Sequence, residues 1–479
     1  MPRLHMPIAY VLFMPRTTLQ RLSRVVAGLK PPTHLVRHHG GPCTLRERME
    51  FHRAPGVSIA VIHNRSIEWS RGFGLRDARK KGRVTNNTLF QAASISKPIT
   101  ALAVMRLVQD GRLDLDEDVN HYLRSWKVPP NGRWQPRVTL RQILSHSAGL
   151  TTHGFPGYSM GEPLPTVPQI LDGLFPANTM PVRVNLLPGV QFRYSGGGTT
   201  VIQQLLIDQL RQPFPELMRE LVLTPFGMRD STYEQPAPRV LTARMAVAHP
   251  SKGIPLPGRH HVYPEMAAAG LWTTAGDLAR VGAEMLRVIA GEPPTSGIAQ
   301  ATMQAMLAPQ LPGQHPGGQY LGLGFMCWGT GRDRTFGHDG WNEGFVARMR
   351  LFPESGCGVV IMVNSNQGGA LLDEVGQAAI TEYHGKIKSK TELEAHSTRG
   401  LSAFCGNYTS ASGQKICVAR RADALTLTYA AQPAFPLVAI SASEFVANAV
   451  NVSVRFEKAK RTLVLTQDGQ QVTAQKANG

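Results

Sequence analysis

Phe90-Gln-Ala-Ala-Ser94-Ile-Ser-Lys97-Pro-Ile-Thr100 sets a serine and a lysine three positions apart at the entry to an apolar run. Residues three apart on a helix share a face, one turn from each other, so the two side chains can meet. A serine hydroxyl is a weak nucleophile and needs a base. A lysine can be that base when burial or cationic neighbours depress its ammonium. A helix that begins near Ser94 also leaves its amide free to donate and favours an oxyanion there. The spacing recurs at Ser412 and Lys415, but that pair lies among Gly and Ser before a strand, with no helix to align it.

Upstream, Gly56-Val-Ser-Ile-Ala-Val-Ile62, a turn at His63-Asn64-Arg65, and Ser66-Ile-Glu-Trp-Ser70 read as a β-hairpin. Downstream, residues 98–109 carry Ile99, Leu102, Met105 and Val108 at helical spacing, and Gly111 ends the run. A helix is expected near 137–145 with Thr139 as its cap, and another over 199–210. A third is expected over 273–285, with Thr274 and Asp277 spaced as a capping box in which Asp replaces the usual Glu. Strands follow: Thr335-Phe-Gly-His before a glycine turn, 345–352 and 358–363. A helix covers 371–383. Residues 386–399 are charged and lack apolar periodicity, which marks a linker. Beyond them, short alternating strands at 416–419, 425–429, 452–456 and 463–465 predict a small all-β domain. The expected organisation is a basic extension (1–45), a large domain (46–385), the linker, and a β-rich, barrel-like domain (400–479).

Several further stretches occur in a fixed order around Ser94. They are Pro55-Gly-Val-Ser-Ile-Ala-Val61, Val138-Thr-Leu-Arg-Gln-Ile-Leu-Ser-His-Ser-Ala-Gly-Leu150, Pro188-Gly-Val-Gln-Phe-Arg-Tyr194-Ser-Gly196, Gly270-Leu-Trp-Thr-Thr-Ala-Gly-Asp277 and Gly337-His338-Asp-Gly340. With the nucleophile segment, they resemble the class C β-lactamase and penicillin-binding-protein group of serine hydrolases over residues 45–385. The group includes D-aminopeptidases and family VIII carboxylesterases. The resemblance implies an α/β (α+β) fold, an antiparallel sheet flanked by helices beside a helical region. It implies that Ser94 is the acylated nucleophile, that Lys97 activates it, and that Tyr194 relays the proton to the leaving group. His338 and Gly340 would line the substrate, on the strand that reads Lys-Thr-Gly in β-lactamases. The backbone amides of Ser94 and Trp341 would form the oxyanion hole. No metal or organic cofactor is implied.

Two departures narrow the expected chemistry. Tyr-x-Asn is Tyr194-Ser195-Gly196, so the amide that binds a β-lactam's acylamino group is missing. Lys-Thr-Gly is His338-Asp339-Gly340, and Asp339 would repel a substrate carboxylate if it faced the site. Acylation chemistry is untouched by either change. The expectation is an esterase or a peptidase-like amidase that admits weak β-lactam hydrolysis, with a small molecule or peptide as substrate. The alternatives are a non-catalytic peptide- or peptidoglycan-binding protein and a self-assembling scaffold on the same fold. Gly157-Tyr-Ser159-Met-Gly161 matches the Gly-x-Ser-x-Gly signature of α/β-hydrolases. The prolines and glycines on both sides deny it the strand and helix that signature needs.

Composition sets the outer bounds. The 479 residues are 42% hydrophobic and 18% charged, which suits globular domains with a sizeable core. The net charge of +18 is dispersed, with no basic helix or aromatic-basic interleave, so nucleic-acid binding is not expected. No stretch approaches the roughly 20 apolar residues of a membrane span. Five scattered cysteines form neither a disulfide framework nor a zinc pattern. The short apolar run 8–14 and the basic amphipathic stretch 16–30 leave export open, so periplasmic, secreted and cytoplasmic locations all stand. The oligomeric state is not readable.

Overall fold

Gly56–His63 (β1) is buried along almost its whole length. Side chains of a strand alternate between faces. Val57, Ile59 and Val61 enter one apolar cluster and Ala60 and Ile62 another. A strand covered on both sides suits this run, in which Ser58 is the one polar residue before His63. The computed structural model describes residues 15–30, 42–80, 82–251, 253–311, 319–385, 400–421, 424–429, 434–439, 441–447, 452–467 and 470–477. The expected linker 386–399 and the apolar run 8–14 lie outside them.

β2 (Ser66–Gly74) returns from β1 through Asn64 and Arg65, at φ 49° and 61°. Positive φ at both central residues matches the twist of a tight hairpin. Phe90–Gln91 (β3) pairs with Trp272–Thr273 (β4), away from the main sheet. The main sheet is completed by β5 (Tyr320–Leu321), β6 (Met326–Trp328), β7 (Thr335–Asn342), β8 (Phe345–Phe352) and β9 (Cys357–Val363). Its order is β2-β1-β9-β8-β7-β6-β5, with antiparallel pairing throughout. β7 does not end in a glycine turn at Gly340, as the sequence suggested. It runs through Gly340 to Asn342, and the turn falls at Gly344, φ +78°.

Helices cover both faces. Arg16–Ala27 (α1) and Leu45–Phe51 (α2) share one cluster with Gly369–Tyr383 (α8, the last of eight labelled helices) and with Val346, Val359 and Ile361 of the sheet. The basic stretch after Pro15 is therefore an amphipathic helix with Leu22, Val25 and Val26 buried. A bidentate ion pair ties this layer together: Arg48 Nε and Nη2 donate to the Glu374 carboxylate at 2.7 and 2.6 Å. On the opposite face Ala275–Ile289 (α7) packs on the sheet, and Ser96–Gln109 (α3), Leu140–Leu144 (α4), Gly196–Leu210 (α5) and Met266–Ala269 (α6) form a helical region in the same apolar cluster.

Thr139 and Gln142 form a complete capping box at α4. At α7 only half of one forms. Thr274 accepts the Asp277 N–H, while the Asp277 carboxylate turns to the Asp230 N–H and the Ser231 hydroxyl.

Contacts divide the chain into two compact units, the second containing the tail from Gly400. There β10 (Gly406–Ser410), β11 (Lys415–Arg421), β12 (Ala424–Tyr429), β13 (Phe435–Ala439), β14 (Glu444–Ala447), β15 (Val452–Glu457), β16 (Thr462–Gln467) and β17 (Gln470–Lys476) close into a barrel. Tyr408, Ile416, Val418, Leu425, Leu427, Val454 and Phe456 fill it.

Candidate active site

Ser94 lies in the 3-10 turn Ala93–Ile95, which leads into α3. Ala93, just before it, has φ 56°. A residue with a Cβ in that region costs about 1–2 kcal/mol. Its neighbours hold it there: the Ser96 hydroxyl donates to Ala93 O at 2.5 Å and accepts the Leu271 N–H at 3.1 Å, and the Ala92 N–H donates to Leu271 O at 2.9 Å. The turn lifts Ser94 into partial exposure between buried Ala93 and Ile95. Lys97, one turn on, is buried. Its Nζ donates to Ser94 Oγ at 3.0 Å and to the Ala268 carbonyl of α6 at 2.8 Å. The expected serine–lysine pair is therefore formed, and a backbone carbonyl aims the amine.

β6 pairs with β7 only at Thr335, Phe336 and Gly337, so the later residues of β7 run past the nucleophile turn. The approach at Gly340 is so close that a Cβ would lie 2.1 Å from Ala92 O. His338 and Gly340 pair with Met349 and Ala347, whose side chains lie in the cluster on the α3–α7 face. Asp339 and Trp341 alternate to the opposite face. There Asp339 meets Arg348 at 2.9 Å and Arg350 at 2.9 Å, and the Trp341 ring is 60% exposed beside Gly369. Burial would raise the Asp339 carboxyl, but the Arg350 and Arg348 charges outweigh it and hold it below the usual range. The feared repulsion of a substrate carboxylate by Asp339 has no structural basis.

Tyr194 precedes α5 and stands among three imidazoles. Its ring centroid is 4.3 Å from His146, 4.9 Å from His153 and 6.0 Å from His338, and 5.0 Å from Lys97 Nζ. Gly196, at the place of the missing Asn, is tightly flanked: a Cβ would lie 3.0 Å from both His153 O and the Phe155 ring, so a side chain there requires its neighbours to give.

Burial first, and then the Lys97 charge, disfavours the protonated form of all three imidazoles. Burial, then the Lys97 charge, pushes His338 down to about 4. The same two causes hold His146 well below 6.5. His146 Nδ1 accepts the Ser195 N–H at 3.2 Å, which places its proton on Nε2. His338 Nδ1 donates to Asp339 O at 2.5 Å, and its buried Nε2 has no partner. His338 thus keeps an unused lone pair.

His146 and the carbonyl of Ala268 were not singled out in the sequence. His146 lies within the quoted 138–150 stretch, between a capped helix and Gly149, but its left-handed φ of 52° and its stacking on Tyr194 are tertiary facts. Ser159 is exposed on an isolated bridge segment, with a turn rather than a helix after it. Ser412 bonds to Ser410 in the barrel, and no helix joins it to Lys415. Among the described residues no three His, Cys, Asp or Glu side chains gather as a metal site. No helix there is long and apolar enough to cross a membrane.

Comparison with known proteins bears on the fold and the family. "Protein flp" of Staphylococcus aureus (strain MW2) is 25% identical over 181 residues, 38% of this chain and 35% of that protein. "Esterase EstB" of Burkholderia gladioli is 32% identical over 207 residues, 40% of this chain and 50% of the esterase. The matched region thus spans only a third to a half of these relatives. The octameric penicillin-binding protein homologue from Pyrococcus abyssi superposes with a TM-score of 0.60 at 21% identity, covering 90% of this chain and 98% of that one. SurE superposes at 0.56 with 22% identity, covering 90% and 97%. Both share the fold. The family model described as Beta-lactamase matches residues 44–380, the span that holds Ser94, Lys97, Tyr194 and the β7 edge, and the chain belongs to that family.

Proposed function

We propose that the protein is a serine hydrolase that cleaves an ester or amide bond through an acyl-enzyme on Ser94. The observation that carries the reading is the 3.0 Å contact between Lys97 Nζ and Ser94 Oγ, with Nζ tethered to Ala268 O. Lys97 in its amine form takes the hydroxyl proton as Oγ attacks the carbonyl carbon. The amides of Ser94 and Trp341 hold the oxyanion, where the close approach of β7 at Gly340 brings strand and turn together. Tyr194 passes the proton to the leaving group, whose bond to the acyl carbon then breaks. Water then attacks the acyl carbon, the acyl C–Oγ bond breaks, and the water's proton passes by way of Lys97 to Ser94 Oγ, which releases the acid and restores Ser94.

An ester fits better than a β-lactam. Nothing replaces the acylamino-binding Asn at Gly196, and the His338 position offers a neutral acceptor where a lysine would offer a cation. The family relation to an esterase supports the same choice. Short-chain p-nitrophenyl esters, D-amino-acid amides and nitrocefin, tried on the wild type and on Ser94→Ala, test the proposal. Ester turnover lost in Ser94→Ala, with a fluorophosphonate adduct mapped to the Ser94 peptide, is the expected result. Turnover that survives Ser94→Ala and vanishes in Ser159→Ala overturns it.

A further inference from the structure

Four arginines line a cavity of about 580 Å³ at the other end of the sheet from Ser94. The register fixes its place. Val57, Val363, Val346 and Trp341 form one row across the sheet, and Ile62, Gly358, Leu351 and Phe336 another. Five residues along β1 separate the rows, roughly 16 Å of strand. The nucleophile turn abuts the first row. Arg65, in the β1–β2 turn, lies beyond the second.

The cavity walls are Arg65, Arg229, Arg280, Arg287 and Glu284, with Phe226 and Ala283 among the apolar lining. Two of the arginines have partners inside the fold. Arg280 reaches Asp277 at 3.4 Å, and Arg287 pairs with Glu284. Glu284 is itself saturated, accepting the Thr295 and Ser296 N–H groups at 2.6 and 2.8 Å. Arg65 and Arg229 make no ion pair among the described residues. Arg65 is also held in place: its N–H donates to Gly356 O at 2.8 Å, and its Cγ lies where a Cβ on Gly356 would be 2.9 Å away. The Nε groups of Arg65 and Arg287 are buried without any hydrogen-bond acceptor.

Buried donors left unpaired are costly and rare in native structures. The buried Arg65 Nε carries that cost unless an anion completes it, and the exposed Arg229 guanidinium adds a second positive charge on the same concave surface. Guanidinium presents a planar fork of donors that suits oxyanions. The volume lies within the usual range for small-ligand sites, about 300–1,000 Å³. We propose that this cavity binds a small soluble oxyanion ligand carrying at least two negative charges, held by Arg65 and Arg229.

Calorimetric titration of the full-length protein with inorganic pyrophosphate and, separately, with citrate tests the proposal. Potassium chloride at matched ionic strength is the control. Saturable binding of either probe at one per chain is expected. Arg65→Gln and Arg229→Gln should each weaken it at least tenfold, while the melting temperature without ligand and ester turnover stay at wild-type values. Pyrophosphate binding with citrate excluded would assign a phosphorylated ligand, and the reverse a polycarboxylate. No saturable binding of either probe, binding that chloride abolishes at matched ionic strength, or equal affinity in both variants overturns the assignment. None of these outcomes depends on Ser94.

Discussion

Lys97 Nζ stands 3.0 Å from Ser94 Oγ, and the carbonyl of Ala268, 2.8 Å away on its other side, fixes the direction in which the amine points. A base placed this way should matter through its proton affinity as well as its charge. Lys97→Arg keeps the charge but removes a group that can be deprotonated. Both Lys97→Arg and Lys97→Met should lower kcat for a p-nitrophenyl ester by about 10²–10⁴-fold. Near-wild-type turnover in Lys97→Arg would exclude a base role.

Gly340 lets β7 approach the nucleophile turn. Gly340→Ala puts a Cβ 2.1 Å from Ala92 O, and backbone there has nowhere to go. Strain of about 1–3 kcal/mol is expected, with loss of ester turnover as strand and turn separate. Gly276→Ala, where the nearest outside atom is Ser70 Oγ at an ordinary 3.5 Å, should leave turnover unchanged. Thermal melts and steady-state rates on the pair check the contrast.

Glu265 starts α6, the helix that presents the Ala268 carbonyl to Lys97. Both of its carboxyl oxygens are buried without partners, and burial pushes its pKa up to about 8. The folded state therefore holds this proton more tightly than the unfolded chain, so its stabilising effect is present below about pH 4.5 and is lost as pH rises towards 8. Glu265→Gln removes that ionisation. The melting temperature of Glu265→Gln minus that of the wild type should climb between pH 5 and pH 9. A difference that stays flat refutes the protonated carboxyl.

His338 carries the opposite sign. Its pKa falls to about 4 in the fold, so the unfolded chain takes up a proton first as pH drops below 6.5. Stability should decline from pH 6.5 towards pH 4, and that slope should shrink in His338→Asn. Imidazole NMR signals, followed by titration, would show His338 still neutral at pH 5.5.

The Arg48–Glu374 pair is shielded on both sides, with side chains 8% and 1% exposed. Removing Arg48 leaves the buried carboxylate with His52 Nε2, 2.9 Å away, in place of a bidentate cation, a loss of up to about 3–5 kcal/mol. Arg48→Ala should lower the denaturant midpoint sharply, and Arg48→Ala with Glu374→Leu should recover much of the loss.

Local signals were legible where local chemistry decides. The three-residue spacing of Ser94 and Lys97 placed them on one helical face, and Thr139 capped the helix it was expected to cap. The segments 56–62 and 66–70 were read as a β-hairpin, and β1 and β2 pair as one. What stayed hidden depends on distant partners. Asp277 has the spacing of a capping box, yet Asp230 and Ser231 claim its carboxylate. Gly340 reads as a turn residue until Ala92 is seen pressed against it. His146 gains its place from a ring stacked on Tyr194, which no periodicity encodes. In the tail, four of eight strands stood out, because β10, β13, β14 and β17 are short or rich in polar residues.

β10 pairs with β17 as well as with β11, so among the described residues the ring of strands in the tail has no loose hem. An open sheet can recruit an extended peptide or a second copy by backbone pairing along its border. This one offers no such template, so anything that docks on it must be recognised by side chains and connecting loops. Swapping those loops, with the strands left intact, is the rational way to alter what the tail engages.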